Sequence, residues 1–471
     1  MKYIQSPSLS PVYLCRSFLP ACLMILSLLI GVQKTSKTAN CDDHWKAGIA
    51  RTKITPDELM WMSGYGSRNR PAEGKLTDLW AKAIALEDRN GNRGVLLTLD
   101  LVGIGRKTSV AICKKIEAKI GLRREQIALC VSHTHTGPAL VDNLVPLHYL
   151  VVDRQQKKRI ESYSKILQEK IVATAVKAVA NLKPAQLSWG SGNATFAVNR
   201  RNNSESAVPD LIKQGKLRGP VDHSVPVLAV RNSEGALTAV IFGYACHATT
   251  LSFYQWSGDY PGFAQIELEK QIPGCQAMFW AGCGADQNPL PRRTVELAKQ
   301  YGSRLAAAVQ RVLVNPMPSI SSDLQVNYRE IDLPFSTLPT KKQIQEDAVS
   351  KNRFTAARAR LLLESLEKGE LDQSYPYPIQ SWELGNSIQM VFLGGEVVVD
   401  YAIRIKSELR SRRTWVVGYA NDVMAYIASR RILKEGGYEG AGAMVYYGLP
   451  TTWSVKSEEQ IIKQVHQQLV K

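Results

Sequence analysis

Histidine is scarce in this chain of 471 residues, with seven in all, and acids are outnumbered: 42 Asp and Glu stand against 59 Lys and Arg. No two cysteines are spaced C-x-x-C, which removes structural zinc ribbons and thioredoxin-type redox motifs from consideration. No low-complexity block and no internal repeat at solenoid or propeller spacing occurs, so repeat architectures and largely disordered chains are excluded. Zinc-finger, helix-turn-helix and RNA-binding signatures are also missing. Nucleic acid is therefore disfavoured as a partner despite a net charge of +17. What remains is a chain that is 45% hydrophobic and long enough to bury a large core.

The first residues predict export. Lys2 and Arg16 precede an uncharged apolar stretch over residues 18–32, and a polar run over 33–40 follows it. Residues 1–39 read as a signal peptide or a retained membrane anchor, since the stretch is long for a signal-peptide core and short for a span. Removing them, with four basic residues and no acids, lowers +17 to +13. That excess suits anionic partners such as an acidic membrane surface. The expected destination is secreted or periplasmic, where Cys275 and Cys283 are near enough in sequence to form a disulfide.

Beyond residue 40, apolar β-type runs alternate with helical patterns. Strands are predicted at 95–102, 126–132, 225–230, 237–245, 276–280, 389–393 and 415–419. Helices are predicted at 108–120, 154–181, 262–271, 294–313, 399–411 and 457–471. The alternation predicts an α/β fold: a mixed β-sheet core with flanking helices, in one catalytic domain over 40–471. Residues 316–388, strongly helical over 338–371, hold no catalytic-looking residue and read as a helical insertion covering the body.

His133, His247, Asp286 and Glu396 each follow an apolar strand. In α/β sheets, ligand sites gather beyond the carboxyl ends of strands, so the four point to one shared cleft. In Ser132-His133-Thr134-His135, residues two apart on extended backbone face the same side. Imidazole is a common zinc ligand, and catalytic zinc keeps three protein ligands plus an open position. The residues alone leave alternatives. His247 also fits a buried core or capping histidine, and Glu396, after Gly394-Gly395, fits a helix cap. Asp286 fits a turn in its Gly/Asn/Pro-rich loop.

Several runs occur together and in order. They are residues 47–56, Ser63-Gly-Tyr-Gly66, Leu99-Asp100, Ser132-His-Thr-His-Thr-Gly-Pro138, Asn199-Arg200, Cys246-His247 and Asp259-Tyr-Pro-Gly262. Gly418-Tyr-Ala-Asn421, Tyr426 and Tyr438-Glu-Gly440 complete the set. In these the chain resembles the catalytic domain of the neutral/alkaline (non-lysosomal) ceramidases. The resemblance implies one catalytic zinc ion held by His133, His247, Glu396 and Tyr426. It implies that His135, Arg200 and Tyr438 bind and polarise a substrate carbonyl. The implied activity is hydrolysis of the amide of N-acylsphingosine or a related N-acyl lipid, within sphingolipid metabolism.

Two departures qualify it. The family's serine-containing hexapeptide aligns with Gly284-Ala-Asp-Gln-Asn-Pro289, which puts Gln287 where the serine belongs, and an amide is no nucleophile. Zinc-activated water is then the simplest attacking group, with Asp286 a candidate general base and Gln287 a candidate substrate contact. The chain also ends at Lys471, soon after Tyr438, so the immunoglobulin-like domain of larger members is expected to be absent. Losing the serine leaves two alternatives open: a zinc hydrolase of another amide, ester or acyl-sugar, and a non-catalytic binding protein that keeps the fold. For an acyl cleft, Trp61, Tyr65, Phe253, Tyr254 and Trp256 are the aromatic candidates.

Overall fold

A computed structural model describes residues 45–409 and 413–469 of the chain. The expected export segment, Cys41 and the last residues of the helices predicted at 399–411 and 457–471 lie outside the described residues. An eight-stranded sheet forms the first half of the fold. From one edge it runs Gln276–Ala281, Leu237–Tyr244, Ser224–Asn232, Lys183–Asn193, Trp45–Lys53, Trp80–Glu87, Arg93–Leu99 and Ile127–Val131. The outermost pair at each edge is parallel and the inner pairs are antiparallel. A second sheet pairs Leu324–Pro334, Ser374–Leu384, Ile388–Leu393 and Arg413–Val417 in that order, the last two in parallel. The fold is α/β with a mixed sheet and flanking helices, as the alternation of patterns predicts.

Alternating side chains explain how the layers stack. Ala83, Leu97, Leu129 and Phe242 face helices Arg154–Ala180 and Val295–Leu313, meeting Leu167 and Ile171 from one and Leu305 and Val309 from the other. Their neighbours Ile84, Leu96, Ala128 and Ile241 face the second sheet and meet Trp382, Met390, Phe392 and Trp415. The far side of that sheet, through Ile379, Val391 and Val416, packs on Ile405 of Val399–Glu408 and on Ile461 and Val465 of Ser457–Leu469. The order is helix, sheet, sheet, helix. Each fully buried Leu, Ile or Val in these layers contributes roughly 1.5–3 kcal/mol. Caps fix where helices begin: Asp153 accepts from Gln156 N and Thr294 from Leu297 N.

All seven predicted strands are present, and five longer ones escaped prediction. Lys183–Asn193 is one: it is rich in polar residues and contains Gly190, where a Cβ would fall 2.4 Å from Val312 Cγ1 of the covering helix. Residues 316–388 are a second difference. Their helical part is present as Lys341–Ala348 and Arg353–Lys368, but on either side lie two eleven-residue strands of the second sheet. Close pairing of those strands makes the segment half of a core sheet. The Cys275–Cys283 bridge that the sequence spacing allows does not form, since both thiols are free and stand at opposite ends of the extended strand Gln276–Ala281. Among the described residues, no helix is long and apolar enough to cross a membrane.

Candidate active site

The strand Ile127–Val131 is buried throughout because it lies parallel to Arg93–Leu99 with both faces covered. Two residues later His133 takes φ 57°, a left-handed conformation that is costly for a residue with a Cβ and is held there by its surroundings. His133 Nδ1 lies 2.5 Å from Val102 O. His247, just past Leu237–Tyr244, places Nδ1 2.7 Å from Gly284 O. A carbonyl only accepts, so Nδ1 carries the proton in both rings and each Nε2 presents a lone pair.

Those lone pairs face a carboxylate. Glu396 Oε2 lies 3.2 Å from His133 Nε2 and 3.1 Å from His247 Nε2. Glu396 is held by a two-residue parallel pairing in which its direct partner is Tyr426. That register brings Tyr426 Oη 3.3 Å from His247 Nε2. His135 closes the group, with Nε2 3.1 Å from His133 Nε2. The coordinating atoms of the three histidines all lie within 4.8 Å of one another. Buried acceptors at such spacing with no proton between them repel, and a cation relieves the repulsion. The donor set, imidazole with carboxylate and phenol oxygen, is one that zinc accepts.

His135 differs from the other two rings. Its Nδ1 has no partner, and it borders a cavity of about 650 Å³ together with Arg200, Tyr426 and Tyr438. A glycine governs its seat: Gly64 has φ +97°, and a Cβ there would fall 2.5 Å from His135 Cγ. Arg200 donates Nη2–H to Tyr426 Oη at 3.1 Å and Nε–H to Glu439 Oε1 at 2.7 Å. Tyr438 lies in the short helical turn Tyr438–Gly442, half exposed, with the Arg200 guanidinium 5.5 Å from its ring.

Electrostatics follow from burial and these contacts. Burial and then the charge of Arg200 push His247 down to about 4, so it is a neutral imidazole near pH 7. Burial, followed by His133 and His247, holds His135 well below the usual range. Burial raises the Tyr426 phenol, against the opposing pull of Arg200.

The structure gathers His133, His135, His247, Glu396, Tyr426, Arg200 and Tyr438 in one place. Asp286 is turned elsewhere. Its Oδ1 accepts from Val399 N at the start of a helix and its Oδ2 from Asn199 Nδ2. Gln287 is sealed in backbone: Nε2 donates to Ala245 O and Cys283 O, and Oε1 accepts from Asp222 N. Trp61 and Trp256 are core residues, and of the aromatic candidates Tyr65 borders the cavity. The sequence reading missed Tyr447, whose hydroxyl donates to Glu396 Oε1, and Tyr419, whose ring lies 4.3 Å from that of His133. Tyr419 stands in the Gly418–Asn421 run; nothing in the sequence marks Tyr447.

The family model for the N-terminal part of neutral/alkaline non-lysosomal ceramidases matches residues 45–288, more than half of the chain. The chain belongs to this family. Neutral ceramidases of Drosophila pseudoobscura pseudoobscura and Drosophila melanogaster are 24% and 23% identical over 256 and 255 residues. Each match covers 51% of this chain, and the chain spans about a third of the length of these relatives, 35% of each. Neutral ceramidase 2 of Arabidopsis thaliana is 23% identical over 47% of this chain and 29% of its own length. Two solved structures share the fold at 19% identity. A ceramidase complexed with C2 superposes with a TM-score of 0.70, over 90% of this chain and 74% of that one. The neutral ceramidase from Pseudomonas aeruginosa gives 0.69, over 91% and 74%. The family match ends at residue 288, so this ceramidase-family chain draws Glu396, Tyr426 and Tyr438 from beyond it.

Proposed function

We propose that this chain is an exported, zinc-dependent amide hydrolase of the neutral ceramidase type, acting on an N-acyl lipid. One observation carries the reading: two imidazole lone pairs and a carboxylate oxygen converge at 3.1–3.2 Å beside an open cavity, with Arg200 next to them. His133, His247, Glu396 and Tyr426 would hold the metal. Zinc in that place supplies a Lewis acid for the amide carbonyl and brings the pKa of water toward neutrality.

The remaining residues divide the work. His133 and His247 are each fixed through Nδ1 by a backbone carbonyl, the arrangement that orients a metal ligand. His135 has no such tether and meets the cavity, which suits it to the substrate carbonyl. Arg200 is anchored by Glu439, and with the Tyr438 hydroxyl it provides charge and a donor where a tetrahedral oxyanion develops. Water attacks in this reading. Gln287 has no free group to offer, and burial pushes the Cys283 thiol far up. The apolar stretch at 18–32 supports export, and the net charge of +17 suits approach to an anionic membrane.

Metal analysis with a substrate panel tests this. The full chain should hold stoichiometric zinc and cleave fluorogenic ceramide or short N-acyl amides. A chelator should abolish cleavage and added zinc restore it. Zinc-loaded protein that cleaves esters or acyl-sugars but no amide would replace the amide reading, and protein that takes up no zinc would point to a binding role.

A further inference from the structure

The cavity beside His135 is rich in charged side chains. Four arginines line it, at 200, 201, 292 and 293, against the glutamates at 205 and 439. Leu290 is the one aliphatic side chain among the described lining residues.

Three of the arginines are already committed. Arg200 and Arg201 each donate to Glu439 at 2.7 Å. Arg292 makes three hydrogen bonds to Glu205, at 2.6, 3.0 and 3.1 Å. Arg293 is different. Its approach to a carboxylate is 3.9 Å, to the same Glu205 that Arg292 has taken, and beyond hydrogen-bond length. Its side chain is 41% exposed.

Its backbone is set for display. Arg293 has φ 99°, outside the comfortable range of a residue with a Cβ, and its N–H is tied to Thr250 O at 2.7 Å. The guanidinium sits 5.5 Å from the centre of the Tyr65 ring, and the same ring is 4.9 Å from that of His135. Arg293 is therefore one aromatic ring away from the histidine assigned to the substrate carbonyl.

We propose that Arg293 receives an anionic oxygen group on the amine half of the substrate: a carboxylate, sulfonate or phosphate ester attached near the scissile amide nitrogen. The inference rests on the amide-hydrolase reading above. In an N-acyl lipid the acyl half is a plain hydrocarbon, so an anion at this distance belongs to the amine half. Guanidinium meets such groups through paired N–H donors, and binding energy away from the reacting atoms helps orient them. The reaction is unchanged: the hydroxyl of water joins the acyl carbon, the C–N bond breaks, and a proton goes to the departing nitrogen.

The test compares N-dodecanoyl glycine, N-dodecanoyl taurine, N-dodecanoyl ethanolamine and a short-chain ceramide on the full zinc-loaded chain. The wild type should cleave the two anionic amides with kcat/KM about 10-fold or more above the ethanolamide, the effect of a charge-assisted contact. Arg293→Gln should collapse that ratio, and Arg293→Lys should keep part of it. Dodecanesulfonyl glycine and dodecanesulfonyl ethanolamine, which are not hydrolysed, measure binding independently of turnover by calorimetry. Ethanolamide or ceramide cleaved as well as the anionic amides would overturn the proposal and leave the hydrolase reading standing. If no amide is cleaved, tighter binding of the anionic sulfonamide that disappears in Arg293→Gln supports the anion site alone. Equal binding of the two sulfonamides overturns it.

Discussion

The Tyr447 hydroxyl donates to Oε1 of Glu396, the carboxylate oxygen not engaged with His133 and His247. One oxygen is held by a phenol so that the other is presented to the histidines. Tyr447→Phe removes this hold and keeps the ring. Zinc affinity should fall roughly 10- to 100-fold, the usual cost of losing a group that orients a metal ligand. Titration against a fluorescent chelator measures it; an affinity equal to wild type would show that Glu396 needs no such partner.

Asp286 looked like an acid–base residue in the sequence. Its oxygens instead serve Val399 N and Asn199, and burial raises its pKa to about 6. In Asp286→Asn the new amide group must face either Asn199 Nδ2 or Val399 N, donor against donor. A lower thermal midpoint is expected, with a cost of about 1 kcal/mol and turnover of wild-type order. A fall in kcat of roughly 10²-fold or more at an unchanged midpoint is what an acid–base role would require instead.

Gln287→Ser puts a hydroxyl where the family hexapeptide has one. The residue is fully buried, and its amide serves Ala245 O, Cys283 O and Asp222 N. The variant should gain no turnover, resist serine-directed fluorophosphonate, and unfold at lower denaturant, since each orphaned buried partner costs about 1–3 kcal/mol. Labelling at residue 287 would contradict the buried arrangement.

Asp422 predicts how stability depends on pH. Burial, opposed in part by the hydrogen bond from Tyr375, pushes it up from 3.8 to about 7, and its Oδ1 has no partner. Between these values the folded chain keeps a proton that the unfolded chain releases. The folded state then binds more protons, so this group's contribution to stability falls as pH rises from about 4 to about 7. Asp422→Asn should remove the decline and gain on the order of 2 kcal/mol over wild type at pH 8 relative to pH 5. Urea midpoints at the two pH values check it. Parallel curves for the two proteins would mean that Asp422 is ionised in the folded state.

The fold class was legible in the sequence because strongly apolar strands mark themselves, and His133, His247 and Glu396 drew notice by standing at their ends, whereas Tyr426, Arg200 and Tyr438 came only from the resemblance to the neutral ceramidases. Trp80–Glu87 was missed because it meets its covering helix through Ala81, Ala83 and Ala85, small residues that carry little hydrophobic signal. Leu324–Pro334 is mostly half-exposed and reads as polar. Tyr447 reaches Glu396 across fifty-one residues of sequence, a contact made by tertiary packing and by no local pattern. The different circumstances of His133 and His135, two residues apart, also depend on which carbonyl each ring meets. That is settled by Val102, far from either in the chain.

The converging donors come from different sheets. His133 and His247 leave strands of the eight-stranded sheet, whereas Glu396 and Tyr426 pair with each other beyond strands of the second. The cluster therefore spans the join between the two halves of the fold. A chain folded only through its first sheet holds imidazoles with no carboxylate opposite them. The pocket for a cation is complete only where the halves meet, and a bound ion would act as a rivet across the seam, coupling loading of the site to the folded state.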